Sequence, residues 1–156
     1  MTVDESGLDA AAEAALPGLL DELLPARPDG TLPGAGALGL ADELLRALRE
    51  KPELRPAIAP GLAALAASLR ARAAATLGAL PPAERRAVLD ELAARAPACL
   101  PTLAFLGFAA YYQDPRVLVA LGREARPPFP QGFELPPFDA ALLAKVRGRP
   151  PFHRAG

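Results

Sequence analysis

Catalysis needs a nucleophile, an acid–base pair or a set of ligands, and in this 156-residue chain such parts are few. There is one cysteine, Cys99, and one histidine, His153. A single cysteine cannot close an intramolecular disulfide, and the usual zinc sites draw on several Cys or His ligands. Cys99 lies between Pro97 and Pro101 in an apolar stretch, the setting of a buried structural thiol rather than an activated one. Ser6 and Ser68 have no histidine at hand to act as base, because His153 sits in a basic tail. A carboxylate-bridged metal site in a helical bundle needs paired Glu-x-x-His motifs, which the sequence does not contain. The loop from Gly30 to Gly39 has the glycines of a phosphate cradle. It lacks the Gly-Lys-Ser/Thr ending of a P-loop, however, and it follows a helix where a dinucleotide-binding loop would follow a strand.

Tyr111, Tyr112, Asp114 and Arg116 make the one local cluster of convergent polar groups. Two roles are open to it. The tyrosine hydroxyls can satisfy backbone groups at a helix-to-loop corner, or the cluster can join Arg123, Glu124 and Arg126 in a small ligand-binding or catalytic corner. The residue types favour anchoring. The net charge of −1 supplies no excess of Lys and Arg with which to neutralise phosphates, so neither nucleic acid nor an anionic membrane is an expected partner.

These residues must be positioned by helices. The chain is 51% hydrophobic but 5% aromatic. Much of the difference is alanine, the best helix former and a poor source of buried area. Apolar residues recur at helical spacing over residues 8–24 (Leu8, Ala12, Leu16, Leu19, Leu20, Leu23), with Pro17 placed to kink or restart the helix. Pro25 to Gly36 reads as a loop. A second helix carries Leu38, Ala41, Leu44, Leu45 and Leu48 and ends at Lys51-Pro52. The third is expected over Glu53 to Leu80, with Leu62, Leu65, Leu69, Ala73, Leu77 and Leu80 as its stripe and a bend at Pro60. A fourth opens at Pro82 and buries Val88, Leu89 and Leu92. A fifth follows Pro97, with Leu100, Leu103, Ala104 and Phe108 among its apolar positions. The uncharged run between Arg95 and Asp114 is long enough to raise a membrane span. Its prolines, Gly107 and the polar end Tyr111-Tyr112-Gln113 point instead to a buried helix.

Asp114-Pro115-Arg116 is a helix start, with Asp as N-cap and Pro in the first turn, and Gly122 is placed to end that helix. No period-two strand pattern appears. The expected fold is all-α: a small bundle of about five helices over residues 8–122, followed by an extended Pro/Phe-rich C-terminal arm over residues 123–156. Proline at that density forbids helix interior and central strand. One or two helical turns are expected over Phe138 to Arg147. All eight aromatics follow residue 104. In the arm, Phe129, Phe133 and Phe138 are candidate anchors, on a partner or back onto the chain's own bundle.

The order of a leucine-rich helix, the loop from Asp29 to Ala35, the helices around Leu80-Pro-Pro-Ala-Glu-Arg-Arg and the run from Phe105 to Val117 with Leu121-Gly122 resembles the gluconate 2-dehydrogenase subunit 3 family. The resemblance spans residues 16 to 137 and is sharpest from Tyr111 to Gly122. It implies a helical accessory subunit, not itself catalytic. The partner it implies is a large FAD-bearing flavoprotein of the glucose-methanol-choline oxidoreductase type, from which a cytochrome often accepts the electrons. Carried over by position, Tyr111, Tyr112, Asp114, Pro115, Arg116, Leu121 and Gly122 become the family-signature residues. FAD is expected in the partner and no cofactor in this chain.

Two features depart from that pattern. Family members commonly begin with a twin-arginine signal, whereas this chain begins Met1-Thr-Val-Asp-Glu-Ser; as written it is expected in the cytoplasm, with export only through a signal-bearing partner. Many members carry an aromatic after the Leu-Gly, where this chain has Arg123. The alternatives to the accessory subunit are a free-standing helical adaptor or chaperone for an unrelated protein, and a small ligand-binding bundle or enzyme using the corner from Tyr111 to Arg116.

Overall fold

The computed structural model describes residues 7–126 and, in the C-terminal stretch, residues 129, 130, 132, 134, 137, 139–141, 143, 147 and 148. The chain divides into two units, Met1–Arg126 and Pro127–Gly156. Among the described residues there are seven α-helices and no strand. They are α1 (Ala10–Leu23), α2 (Ala35–Leu38), α3 (Leu40–Glu50), α4 (Arg55–Ala71), α5 (Pro82–Arg95), α6 (Cys99–Tyr111) and α7 (Pro115–Ala120). Five are long, as the periodicity predicts. Short 3-10 turns at Pro52–Leu54 and Leu77–Ala79 fill two of the joints.

The long helices bury most of the apolar stripe that each carries. Asp9 caps α1 by accepting from the Ala12 N–H at 2.7 Å, and Leu16, Leu19 and Leu20 are fully buried on its inner face. Leu8 is buried too, but just ahead of the helix. Pro17 interrupts nothing: it lies on the exposed side, and α1 runs on through it. The same holds for Pro60 in α4. In α3, Leu40, Leu44 and Leu48 face inward, with Asp42, Glu43, Arg46 and Arg49 interleaved.

At the centre lies α4, packed against α1, α5 and α6. The closest approach is at Gly61. A Cβ there would lie 2.3 Å from the Cys99 Sγ and 2.5 Å from the Cys99 Cβ on α6, and 3.2 Å from a Leu92 methyl on α5. Glycine is therefore the residue that lets three helices meet. Beside this crossing the Cys99 thiol donates to the Ile58 carbonyl at 3.6 Å, and α5 and α6 turn through 107° about the joint between them. Polar ties run around the rim. Arg85 at the start of α5 pairs with Glu22 of α1 at 2.6 Å, both largely covered.

The third predicted helix is too long by nine residues. It stops at Ala71 because Ala73 takes a left-handed conformation with φ 51°, donating to Arg70 O while Ala74 donates to Leu69 O. These two bonds make a Schellman ending with alanine where glycine is usual. Leu77 and Leu80 are buried as the stripe requires, but from the 3-10 turn and the following link rather than from a helix. Residues 35–38, read as the end of a loop and the start of α3, form the separate helix α2, which is divided from α3 by Gly39 at φ 70°. At the other end of the fold α7 is as predicted. Asp114 caps it, Pro115 opens it, and Gly122 at φ 69° ends it in a second Schellman motif, Gly122 donating to Val119 O and Arg123 to Leu118 O.

In the second unit Asp139 accepts from the Ala141 N–H at 2.9 Å and Leu143 donates to Ala140 O, where a helix over 138–147 is expected to begin. Half of that span, Phe138 included, lies outside the described residues, as does Phe133.

Two substitutions test this packing. Gly61→Ala gains about 1 kcal/mol of helix propensity but forces a methyl into the Cys99 side chain, and should lower the unfolding free energy by about 2 kcal/mol net; adding Cys99→Gly should restore most of the loss. Ala73→Gly should act in the opposite direction, raising stability by about 0.5–1 kcal/mol through relief of the left-handed alanine. Urea unfolding of the three variants reads both effects.

Candidate functional site

The cluster singled out in the sequence does converge in space. Tyr111, the last residue of α6, is buried at 5% exposure, and its hydroxyl donates to the Pro33 carbonyl at 2.9 Å. Burial pushes its phenol up. Arg116 is the hub. Its Nη1 donates to Ala37 O at 3.1 Å, and its Nη2 donates to Leu38 O at 3.2 Å and to Asp114 Oδ2 at 2.7 Å. Its Nε reaches Asp114 Oδ1 at 3.0 Å, and the same oxygen accepts the Arg116 backbone N–H at 2.8 Å. Ala37 and Leu38 are the last residues of α2, whose end carbonyls have no partner within their own helix. At its opposite end Asp21 accepts from the Gly36 N–H at 2.7 Å. A four-residue helix cannot sustain itself. This one is held by an acid at its N-terminus and a guanidinium at its C-terminus, the signs that its dipole favours.

The corner thus ties the loop over residues 24–34 and α2 onto the α6–α7 junction. The loop's own amides are engaged: Gly30 donates to Arg27 O, Arg27 to Leu32 O and Ala35 to Leu24 O. Asp29 accepts from both the backbone and the hydroxyl of Thr31 at 3.0 and 2.6 Å, which holds its carboxyl below the ordinary value. An ionised aspartate at its tip makes the loop a poor phosphate cradle.

The other candidates for chemistry are also committed. Cys99 is fully buried, and burial pushes its thiol up to about 11, so it is protonated at neutral pH. The Ser68 hydroxyl donates to Glu91 Oε2 at 2.8 Å, and Arg72 Nη2 donates to Glu91 Oε1 at 2.7 Å. Arg72, with Ser68 second, holds the Glu91 carboxyl below its usual range, which makes it a weak base for that serine. The triad ties α4 to α5, and sequence spacing does not reveal it because Glu91 stands 19 and 23 residues from its two partners. The Arg123, Glu124 and Arg126 neighbourhood contains one close ion pair, Arg126 with Glu124. Among the described residues no three His, Cys, Asp or Glu side chains converge on a point where a metal ion could sit. Ser6 and His153 lie outside the described residues.

The described residues line small hollows. One, of about 180 Å³, is lined by Pro17, Leu20, Gly36 and Asp42; another, of about 150 Å³, by alanines of α1 and by Ala66 and Leu69 of α4. Sites for drug-sized ligands typically start near 300 Å³.

The aromatics around this corner face outward. On α6 the buried stripe is Cys99, Leu103, Gly107 and Tyr111. Phe105, midway between two of these and so on the far side of the helix, is 74% exposed. Phe108, which apolar periodicity assigns inward, is 45% exposed, and Tyr112 is 52% exposed. The Phe108 and Tyr112 rings stack 6.2 Å apart, and Tyr112 meets the Tyr111 ring edge-on at 5.2 Å. Val119 and Leu121 of the α7 segment are exposed as well. No single helix among the described residues is long and apolar enough to cross a membrane; α5 and α6 together pass on length and composition but are sharply bent.

The polar groups of this corner build shape, and the aromatics beside it turn to solvent. Residues 10–127 match the family model of gluconate 2-dehydrogenase subunit 3. The chain belongs to that family, and so to the subunits of dehydrogenase complexes. No curated protein and no solved structure matches it.

The Arg116 pairing fixes a pH dependence. Asp114 has its carboxyl held below the ordinary value by the Arg116 guanidinium, against the opposing effect of burial. A carboxyl depressed in the folded state contributes stability that is complete above the unfolded pKa of about 3.9 and lost as pH falls through the folded value. The stability gap between the wild-type chain and Asp114→Asn should therefore be widest near neutrality and shrink below about pH 4. Urea unfolding at neutral pH and at about pH 3 compares the two; a constant gap contradicts the pairing.

Proposed function

We propose that this chain is the non-catalytic accessory subunit of a flavin-dependent dehydrogenase of the glucose-methanol-choline type, which binds and stabilises the large subunit that carries FAD and performs the oxidation. Family membership supports a subunit role. The observation that carries the reading further is the outward row of Phe105 and Phe108 on α6 with Tyr112 at its end, together with the exposed Val119 and Leu121 of the α7 segment. Aromatic side chains exposed together on one helix face are expensive to leave in water, and they mark contact surfaces in proteins that associate.

In this reading the signature residues divide by task. Tyr112 and Leu121 belong to the contact face. Tyr111, Asp114, Pro115, Arg116 and Gly122 hold that face at a fixed angle, Tyr111 and Arg116 by their grip on the loop and α2, and the rest by starting and ending α7. The large subunit would supply the substrate pocket and the flavin, and a cytochrome would take the electrons. The substrate need never touch this chain.

Co-expression with a candidate large subunit of the glucose-methanol-choline type provides the test. The wild-type chain should co-purify with a yellow large subunit. Phe105→Ser combined with Phe108→Ser should weaken binding by about tenfold to a hundredfold while leaving the chain's own unfolding midpoint unchanged or slightly raised, since both rings are solvent-facing. Undiminished binding by the double variant, or a wild-type chain that stays a lone monomer beside the flavoprotein, overturns the reading.

A further inference from the structure

Between α1 and α3 the chain passes through residues 25–39 with little apolar weight to hold it down. Only Gly34 and Ala35 of this stretch are buried, while Leu32 and Leu38 pack on the core in part. By contrast, α4 buries Ile58, Leu62, Leu65 and Leu69. Packing beneath the segment is incomplete: the hollow of about 180 Å³ lies between Pro17 and Leu20 of α1 and Ala35, Gly36 and Gly39. At its far end the segment turns at Gly39, whose φ is 70° and where an added Cβ would meet open space.

Hydrogen bonds to side chains from three elements do the holding. Asp21 of α1 takes the Gly36 N–H, Tyr111 of α6 donates to Pro33 O, and Arg116 of α7 donates to Ala37 O and Leu38 O. The Asp21 and Arg116 ties face solvent. A hydrogen bond that water can replace adds little net stability, and segments with few buried apolar contacts open at less cost than the whole fold. Two of the three ties also touch the outward aromatic face. The Tyr111 ring meets Tyr112 edge-on at 5.2 Å, and Tyr112 stacks on Phe108. Arg116 lies in the first turn of α7, which leads to the exposed Val119 and Leu121.

We propose that residues 25–39 are a latched strap, which opens and closes as one unit while the helices around Gly61 stay folded, and whose closed state fixes the α6–α7 corner. The strap is a property of the free chain. Its use rests on the accessory-subunit reading: a large subunit that takes Tyr112 and the α7 segment in their fixed positions favours the closed strap, and by linkage the closed strap favours that subunit.

Amide hydrogen exchange on the free, full-length chain tests the strap. In the closed state the Ala35 N–H donates to Leu24 O, the Gly36 N–H to Asp21 and the Gly39 N–H to Gly36 O. These amides should nevertheless exchange about a hundredfold faster than those of Leu62 and Leu65 in α4. Arg116→Ala, and Tyr111→Phe, which keeps the buried ring, should each speed strap exchange about fivefold to tenfold and leave α4 unchanged. The chain has no tryptophan and two tyrosines, Tyr111 and Tyr112, so its near-UV tyrosine dichroism reports on this corner alone. That signal should change at lower urea than the far-UV helical signal. Strap and α4 amides that exchange together, variants that speed both equally, or coincident urea transitions overturn the strap. With a candidate large subunit of the glucose-methanol-choline type bound, strap exchange should slow about tenfold. A bound subunit that leaves it unchanged overturns the coupling alone; a subunit that does not bind overturns the accessory reading and the coupling with it, while the free-chain result still decides the strap.

Discussion

Everything in the helical unit is set by how closely three helices approach at one glycine. Gly61 has no room for a single carbon between itself and Cys99, and Leu92 closes the third side. An alanine-rich chain has few bulky groups with which to fill a core, so its helices must come near one another for the small side chains to touch. That proximity fixes the roll of α6 about its own axis. With Cys99 pinned against α4, the residues at every fourth position after it, Leu103, Gly107 and Tyr111, are directed inward. Phe105 is directed outward by the same rotation.

The far end of α6 uses a different kind of interaction. There the ties are polar, and each reaches a partner distant in sequence: the Tyr111 hydroxyl on Pro33, and the solvent-facing Arg116 guanidinium on the last carbonyls of α2. The end carbonyls of a helix have no partner in their own turn, and a guanidinium can serve two of them while remaining paired with a carboxylate. The residues that look most like a catalytic cluster in the sequence are therefore the ones that let a short helix and a proline-bearing loop exist at all.

How far the sequence reveals this structure depends on whether the deciding contact is local. The starts of α5 and α7 are legible because proline and an N-cap act within a few residues, and the long helices are legible because their leucines recur with the right period. The end of α4 is not, because Ala73 adopts a glycine-like conformation and nothing about an alanine announces it. Nor is α2, whose two stabilising side chains come from α1 and from the α7 segment. Periodicity puts Phe108 inward because it counts apolar residues and cannot register how packing at Gly61 rolls the helix about its axis. The Ser68, Arg72 and Glu91 triad joins two helices whose register only the packing sets. As for the candidate site, its members are visible as a cluster, and their roles need the partners that folding brings to them.

The grip of Arg116 on α2 also has an order in time. Asp21 is synthesised ahead of the helix it caps, but the arginine for the other end follows Leu38 by 78 residues. At a ribosomal speed of about 5–20 residues per second, α2 waits roughly 4 to 16 seconds for its second support. Through that interval the nascent chain can assemble the helices around Gly61 but cannot lock the loop down. The aromatic face beside the corner is completed by the same few residues, so a chain that can present this surface in full is one whose helical unit has already been made.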